Sequence, residues 1–170
     1  MVTEPKMYFS KENQVAPLGI VAMAGASELA KMVEAHLVRW AKRAGMDVET
    51  FVIDNSCPRF SSGDGKGLIK STVRGYDLYF IVDVGNYSVT YKYFGQENRM
   101  SPDDHYQDLK RLIQAASGKA HRINVVMPLL YGGRQHRRSY RESLDCAYML
   151  QELQSMGVDN IVTFDAQKLL

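Results

Sequence analysis

The chain has 170 residues, 45% of them hydrophobic and 24% charged, with 21 Lys plus Arg against 19 Asp plus Glu for a formal net charge of +2. That size and balance fit one globular domain, 1–170, which can bury a core without disulfide or metal staples. The near-neutral charge disfavours a general nucleic-acid-binding surface, no apolar run approaches the roughly 18 residues of a membrane span, and Met1 to Gln14 lacks a signal-peptide core, so a cytoplasmic protein is expected.

Short apolar runs alternate with longer amphipathic ones. Leu18 to Ala24 reads as a strand buried on both faces and stopped by Gly25. A helix follows from Ser27, with Leu29, Val33, Leu37 and Trp40 on one face, and it ends at Gly45 after Lys42-Arg43. Val48 to Ile53 is a second strand. Asn55 to Gly67 is turn-rich, and Leu68 to Val73 adds a small antiparallel flap. Asp77 to Val84 is the clearest strand, whereas Gly85 to Met100 matches neither template. Ser101-Pro102-Asp103-Asp104 starts a helix with an N-cap, an early Pro and first-turn acids, and that helix runs to about Ser117-Gly118. Arg122 to Pro128 is a strand, Leu129 to Arg141 a loop, Glu142 to Met156 a helix stopped by Gly157, and Asn160 to Phe164 a last strand. The β-α-β alternation predicts an α/β fold, a mostly parallel sheet flanked by helices on both faces, with ligands received beyond strand C-termini.

Familiar cofactor signatures are missing. There is no Walker A loop and no Gly-x-Gly-x-x-Gly, and Cys57, Cys146, His36, His105, His121 and His136 are too scattered for a metal finger. The two cysteines read as reduced, packed thiols. The most unusual segment is Tyr131-Gly132-Gly133-Arg134-Gln135-His136-Arg137-Arg138-Ser139-Tyr140-Arg141, which follows a strand. Two glycines permit close backbone approach, and four arginines present planar donor forks suited to phosphates. A solvated basic loop is the alternative. Phe60 to Gly67 is either a flexible turn or an aromatic-plus-carboxylate grip on a heterocycle. Asp165, after the last strand, reads equally as a Mg²⁺ or ribose contact and as a cap.

The order of these segments resembles the N-terminal half of the ribose-phosphate pyrophosphokinase family. Phe60-Ser61-Ser62-Gly63-Asp64 matches a Phe-x-Asp-Gly-Glu motif, and Val73-Arg74-Gly75-Tyr76-Asp77 matches Val-Arg-Gly-x-Asp before a strand. Arg122 to Pro128, then Arg134-Gln135-His136-Arg137-Arg138, Gly157-Val158-Asp159 and Asp165-Ala166-Gln167 follow in family order. The resemblance implies a phosphoribosyltransferase-like fold and transfer of the diphosphoryl group of Mg-ATP to ribose 5-phosphate. It implies ATP contacts for Arg134, Gln135, Phe60 and Asp64, the last two at a site shared with a neighbouring subunit, with Arg137 and Arg138 beside them. Mg²⁺ accompanies ATP, and a homo-oligomer is expected, also because aromatic residues from Tyr87 to Phe94 would be costly to expose.

Three positions depart from the family. Ser62 stands for its first Asp, His136 for the Asp of Arg-Gln-Asp-Arg, and Gln167 for its metal-binding His, so no residue of this chain is assigned to a metal. The family's ribose-phosphate loop has no counterpart in these 170 residues, and no residue here is assigned a catalytic role. The chain is therefore expected to be inactive alone. The alternative is a non-catalytic regulatory nucleotide-binding protein associated with a synthetase.

Overall fold

The computed structural model describes Phe9, residues 14–135 and residues 137–164. Its first elements are β1 (Leu18–Ala22), a 3-10 turn (Ala24–Ala26), α1 (Ser27–Arg43), β2 (Asn55–Ser56), β3 (Leu68–Ile69) and β4 (Asp77–Ile81). There follow β5 (Thr90–Tyr93), β6 (Gln96–Arg99), α2 (Pro102–Ala116), β7 (Arg122–Val126), α3 (Asp145–Ser155) and β8 (Asn160–Val162). Four strands form a parallel sheet in the order β1-β4-β7-β8. Its apolar residues feed two cores. Ile20 and Ile81 pack with Ala30 and Ala41 of α1, while Val21, Leu78, Phe80 and Val125 pack with Leu109 and Leu112 of α2 and Met149 and Leu153 of α3. Helices thus cover both faces, as the alternation predicts.

The α1 face differs from expectation in one respect. Leu29, Val33 and Leu37 are only half-buried against the sheet, and the fully buried positions are Ala30 and Ala41. Small side chains sit where the backbones approach, and the bulky ones flank them. The α2 start behaves as read. The Ser101 hydroxyl accepts from Asp104 N at 3.1 Å, and the Asp104 carboxylate accepts from Ser101 N at 2.9 Å, closing a capping box.

Val48 to Ile53 is a correction, because only a single parallel bridge joins Val52 to Ile20. Ile20 N donates to Phe51 O, and Ile53 N to Ile20 O, each at 2.8 Å. Glu34 of α1 accepts from Phe51 N at 3.0 Å and Val52 N at 3.2 Å, taking amides that a longer ladder would use. The flap is also shorter than expected, with only Leu68–Ile69 pairing antiparallel with Asn55–Ser56. Helix α3 starts at Asp145 instead of Glu142, and Leu144 at its N-cap makes no side-chain capping bond. Gly85 to Met100, unassigned from sequence, contains the β5–β6 hairpin. Phe94 (φ 45) and Gly95 (φ 79) form its two-residue turn, with positive φ at both positions as such hairpins demand. The strand ladders stop two or three residues before their apolar runs do, and the remaining buried residues lead into the loops at the sheet's C-terminal end.

The opposite end is closed by a polar network. Asp77 receives a two-pronged bond from Arg122, Nε at 2.8 Å and the second nitrogen on the other oxygen, and Asn124 Nδ2 donates to it at 2.7 Å. Asn160 Nδ2 donates to Asn124 Oδ1 at 2.8 Å, extending the network to β8. Burial alone would raise the Asp77 carboxyl, but the Arg122 fork and the Asn124 amide outweigh it and hold it below its ordinary range. Among the described residues no helix is long and apolar enough to cross a membrane.

Candidate functional site

Where β4 and β7 end, their following loops open a cleft of about 500 Å³. Val84, Gly85 and Tyr87 line it from one loop, Leu129 to Arg134 from the other, and Asp103 and Asp145 from the starts of α2 and α3. The chain between β7 and α3 turns twice through Gly133 N to Leu130 O (3.0 Å) and Gln135 N to Gly132 O (2.8 Å). Gly132 sits at φ +67, and a Cβ there would lie 3.1 Å from Cys146 N. Both facts require glycine: the loop lies against the first turn of α3 in a conformation that side chains resist.

Arg134 is the basic residue that this turn delivers to the cleft. It is exposed and has no carboxylate partner among the described residues. Gln135, Arg137 and Arg138 are exposed and do not line the cleft; Arg138 Nε donates to Tyr140 O at 3.2 Å. The cleft therefore combines an available guanidinium, two carboxylates and two tyrosines. An arginine free of internal partners at a strand C-terminus suits a phosphate.

Phe60 and Asp64 lie on the β2–β3 connection and are not among the residues lining that cleft. Their loop is closed by Phe60 N to Asp64 O at 2.7 Å and Gly63 N to Phe60 O at 2.9 Å. The β5–β6 hairpin braces it, with Phe94 N donating to Ser61 O at 2.9 Å, and a Cβ on Gly63 would meet Tyr93 at 2.7 Å. Ser62 Oγ donates to Asp64 Oδ2 at 2.7 Å, so the residue that departs from the family occupies one oxygen of the motif's acid. Phe60 stays 56% exposed, with Phe94 at 70% nearby in the same assembly of loops.

A second depression, of about 300 Å³, lies beyond β1 and is lined by Asn55, Arg59, Tyr91, His105 and Asp108 among others. Its charged groups satisfy one another. Asp108 accepts from Arg59 at 3.0 Å and Arg111 at 2.7 Å, and Arg59 lies 4.9 Å over the Tyr91 ring. His105 Nε2 is 2.8 Å from Asn86 O, and Asn86 Nδ2 donates to Gly25 O at 2.7 Å, tying the loops after β1 and β4 to α2. Burial, then the Asp108 charge, pushes the Cys57 thiol up to about 12, and burial raises Cys146, so neither is a ready thiolate.

His136, Asp165 and Gln167 lie outside the described residues. The sequence reading missed Asp103, Asp145 and Tyr87 as cleft residues. The first-turn acids of the α2 start were visible as a helix signal, but nothing local says that they face the Arg134 loop.

A family model described as the N-terminal domain of ribose phosphate pyrophosphokinase matches residues 18–157. The chain belongs to the ribose-phosphate pyrophosphokinase family. Two Streptococcus pneumoniae proteins, from strains TIGR4 and R6 and provisionally named ribose-phosphate pyrophosphokinase 2, are each 32% identical over 112 residues. The match covers 65% of this chain but 31% of theirs, so the chain spans about a third of the length of these curated relatives. The crystal structure of phosphoribosylpyrophosphate synthetase from Mycobacterium smegmatis is similar in fold, with a TM-score of 0.65 at 21% identity, covering 88% of this chain and 43% of that one. The α/β fold is phosphoribosyltransferase-like, and in this ribose-phosphate pyrophosphokinase domain the matched region runs from β1 through α3, including both the Phe60 loop and the Arg134 cleft.

Proposed function

We propose that this domain is the ATP-contacting half of a ribose-phosphate pyrophosphokinase, and that Arg134 holds the phosphates of the nucleotide in the cleft beyond β4 and β7. The observation that carries this is Arg134 itself, exposed at a strand C-terminal cleft with no ion-pair partner among the described residues. Gln135 stands next to it, and Arg137 and Arg138 follow it in the chain as further exposed basic residues. Phe60 and Asp64, away from this cleft, would serve the base in a neighbouring subunit's site, which fits the exposed aromatics of that loop and hairpin. A homo-oligomer is part of the proposal.

Mg²⁺ would arrive bound to the nucleotide. The chain's own contribution to the phosphates would be the Arg134 guanidinium. The diphosphoryl transfer to ribose 5-phosphate depends on positioning and charge neutralisation. With no ribose-phosphate loop among these 170 residues, the isolated chain is expected to make no phosphoribosyl pyrophosphate. The Ser62–Asp64 bond supports the second reading, a regulatory nucleotide-binding relative, because it ties up an acceptor that the base would use.

Calorimetry with Mg-ATP tests the site. A charge-assisted hydrogen bond contributes about 1.5–3 kcal/mol, or roughly tenfold to a hundredfold in affinity. Arg134→Ala should lose that much and Arg137→Ala less, with binding weakening as salt rises. Equal affinities, or no binding at millimolar nucleotide, would sink the assignment.

A further inference from the structure

The residue just ahead of Gly132-Gly133-Arg134 is held far more tightly than the arginine it precedes. The Tyr131 ring stacks on Tyr106 of α2, with centroids 4.5 Å apart and planes 12° from parallel. Its hydroxyl donates to Asp103 Oδ1 at 2.7 Å, and its amide approaches Met127 Sδ at 3.2 Å. Tyr106 is anchored in turn: its hydroxyl donates to Glu152 Oε2 of α3 at 2.6 Å, and Lys110 Nζ lies 2.9 Å from Glu152 Oε1 and 4.8 Å from the Tyr106 ring. Burial, then the bond to Asp103, pushes the Tyr131 phenol up to about 12, so it stays a neutral donor at any physiological pH.

We propose that Tyr131 is a positioning residue for the anion site: chiefly its stack on Tyr106, with a lesser part from its bond to Asp103, fixes the turn that delivers Arg134 to the cleft before any ligand arrives. This rests on the nucleotide reading of the cleft. The physical argument is preorganisation. The loop between β7 and α3 forms no ladder among the described residues, and two tight turns run through it. Beside the buried Leu130 and the contact of Gly132 with α3, the rigid Tyr131 ring helps set its pose, and a ligand meeting a pre-set arginine need not supply the ordering entropy. An aromatic pair of this geometry corresponds to roughly threefold to tenfold in an equilibrium.

Two measurements on the full 170-residue chain separate this proposal from the site assignment. The first is trypsin cleavage without nucleotide at Arg134, Arg137, Arg138 and Arg141. Tyr131→Leu should be cut there about threefold to tenfold faster than wild type, while Tyr131→Phe, which keeps the stack, should stay within about twofold. The second is Mg-ATP affinity in a double-mutant cycle with Arg134→Ala. Tyr131→Leu should weaken binding by a similar factor when Arg134 is present and cost nothing further when it is absent. A purely structural role would make the two losses additive. Tyr106→Phe, which loses the Glu152 bond but keeps the ring, guards against a misfolded leucine variant and should resemble wild type. Unchanged cleavage in Tyr131→Leu overturns the proposal, as does an additive cycle. Faster cleavage with no nucleotide binding by wild type supports the clamp and sinks the site assignment instead.

Discussion

Two arginines on the same stretch of chain stand at opposite ends of the sheet. Arg122 opens β7 and is forked onto a buried aspartate that Asn124 also contacts, with Asn160 extending the network to β8. Arg134 follows β7 on a glycine turn, exposed and without an ion pair among the described residues. At the N-terminal end the Arg122 donors are spent on Asp77, and the result is a closed end. At the C-terminal end the Arg134 donors are left available and the space before them is open. The difference teaches that charge alone does not mark a site. An arginine whose donors are already used stabilises the fold, and one held in place with its donors free can receive a ligand.

The largest expected effect lies at the closed end. Asp77→Ala strands the Arg122 guanidinium and takes one of the two acceptors of the Asn124 amide, which keeps Leu78 O, costing about 2–3 kcal/mol. That corresponds to a fall of roughly 4–12 °C in Tm, read by calorimetric melting, with nucleotide affinity of the folded protein unchanged. Acid probes the same contact. The Asp77 carboxyl is depressed in the folded chain, so its contribution is present above the ordinary aspartate value of about 3.9 and is lost as pH falls through the lower folded value. The stability gap between wild type and Asp77→Asn, from urea unfolding, should therefore shrink as pH drops below about 4.

A smaller loss of stability is expected in the open loop. Gly132→Ala places a Cβ at φ +67 beside the α3 start, which costs about 1–2 kcal/mol, and it should also weaken Mg-ATP binding by displacing Arg134. Urea unfolding and calorimetry on one sample check both halves. Arg134→Ala is the smallest perturbation of the fold, within about 0.5 kcal/mol of wild type by urea unfolding, because nothing in the described structure depends on its side chain. A large loss of stability there would mean that the two ends are built alike.

Assembly sharpens the contrast from outside the sheet. Tyr87, Phe60 and Phe94 remain 63%, 56% and 70% exposed in the single chain. A species larger than one 19.2 kDa chain is expected by light scattering at tens of micromolar, and a monomer would contradict the shared-site part of the proposal.

The sheet was legible because its strands are unbroken apolar runs between amphipathic helices, and Ser101-Pro102-Asp103-Asp104 announced α2 through local chemistry alone. The Arg134 loop was legible as a ligand segment from its glycines, arginines and place after a strand. The β5–β6 hairpin was not, since its strands are largely exposed and its turn is Phe94-Gly95, outside the usual Asn-Gly and Asp-Gly pairs. Nor was the truncated pairing of Val48 to Ile53, which depends on Glu34 reaching Phe51 and Val52 from 17 and 18 residues away. The Tyr131–Tyr106 stack and the gathering of Asp103, Asp145 and Arg134 around one cleft are likewise products of tertiary packing, which no local pattern encodes.

The most direct test of the account asks which end of the sheet receives the nucleotide. Backbone amide shifts of isotope-labelled chain, followed through a Mg-ATP titration, should move around Val84 to Tyr87, Leu129 to Gln135 and the first turns of α2 and α3. Asp77, Arg122, Asn124 and Asn160 should stay still. Shifts centred on those four residues, or none at either end at millimolar Mg-ATP, would contradict the claim that the Arg134 cleft is the nucleotide site.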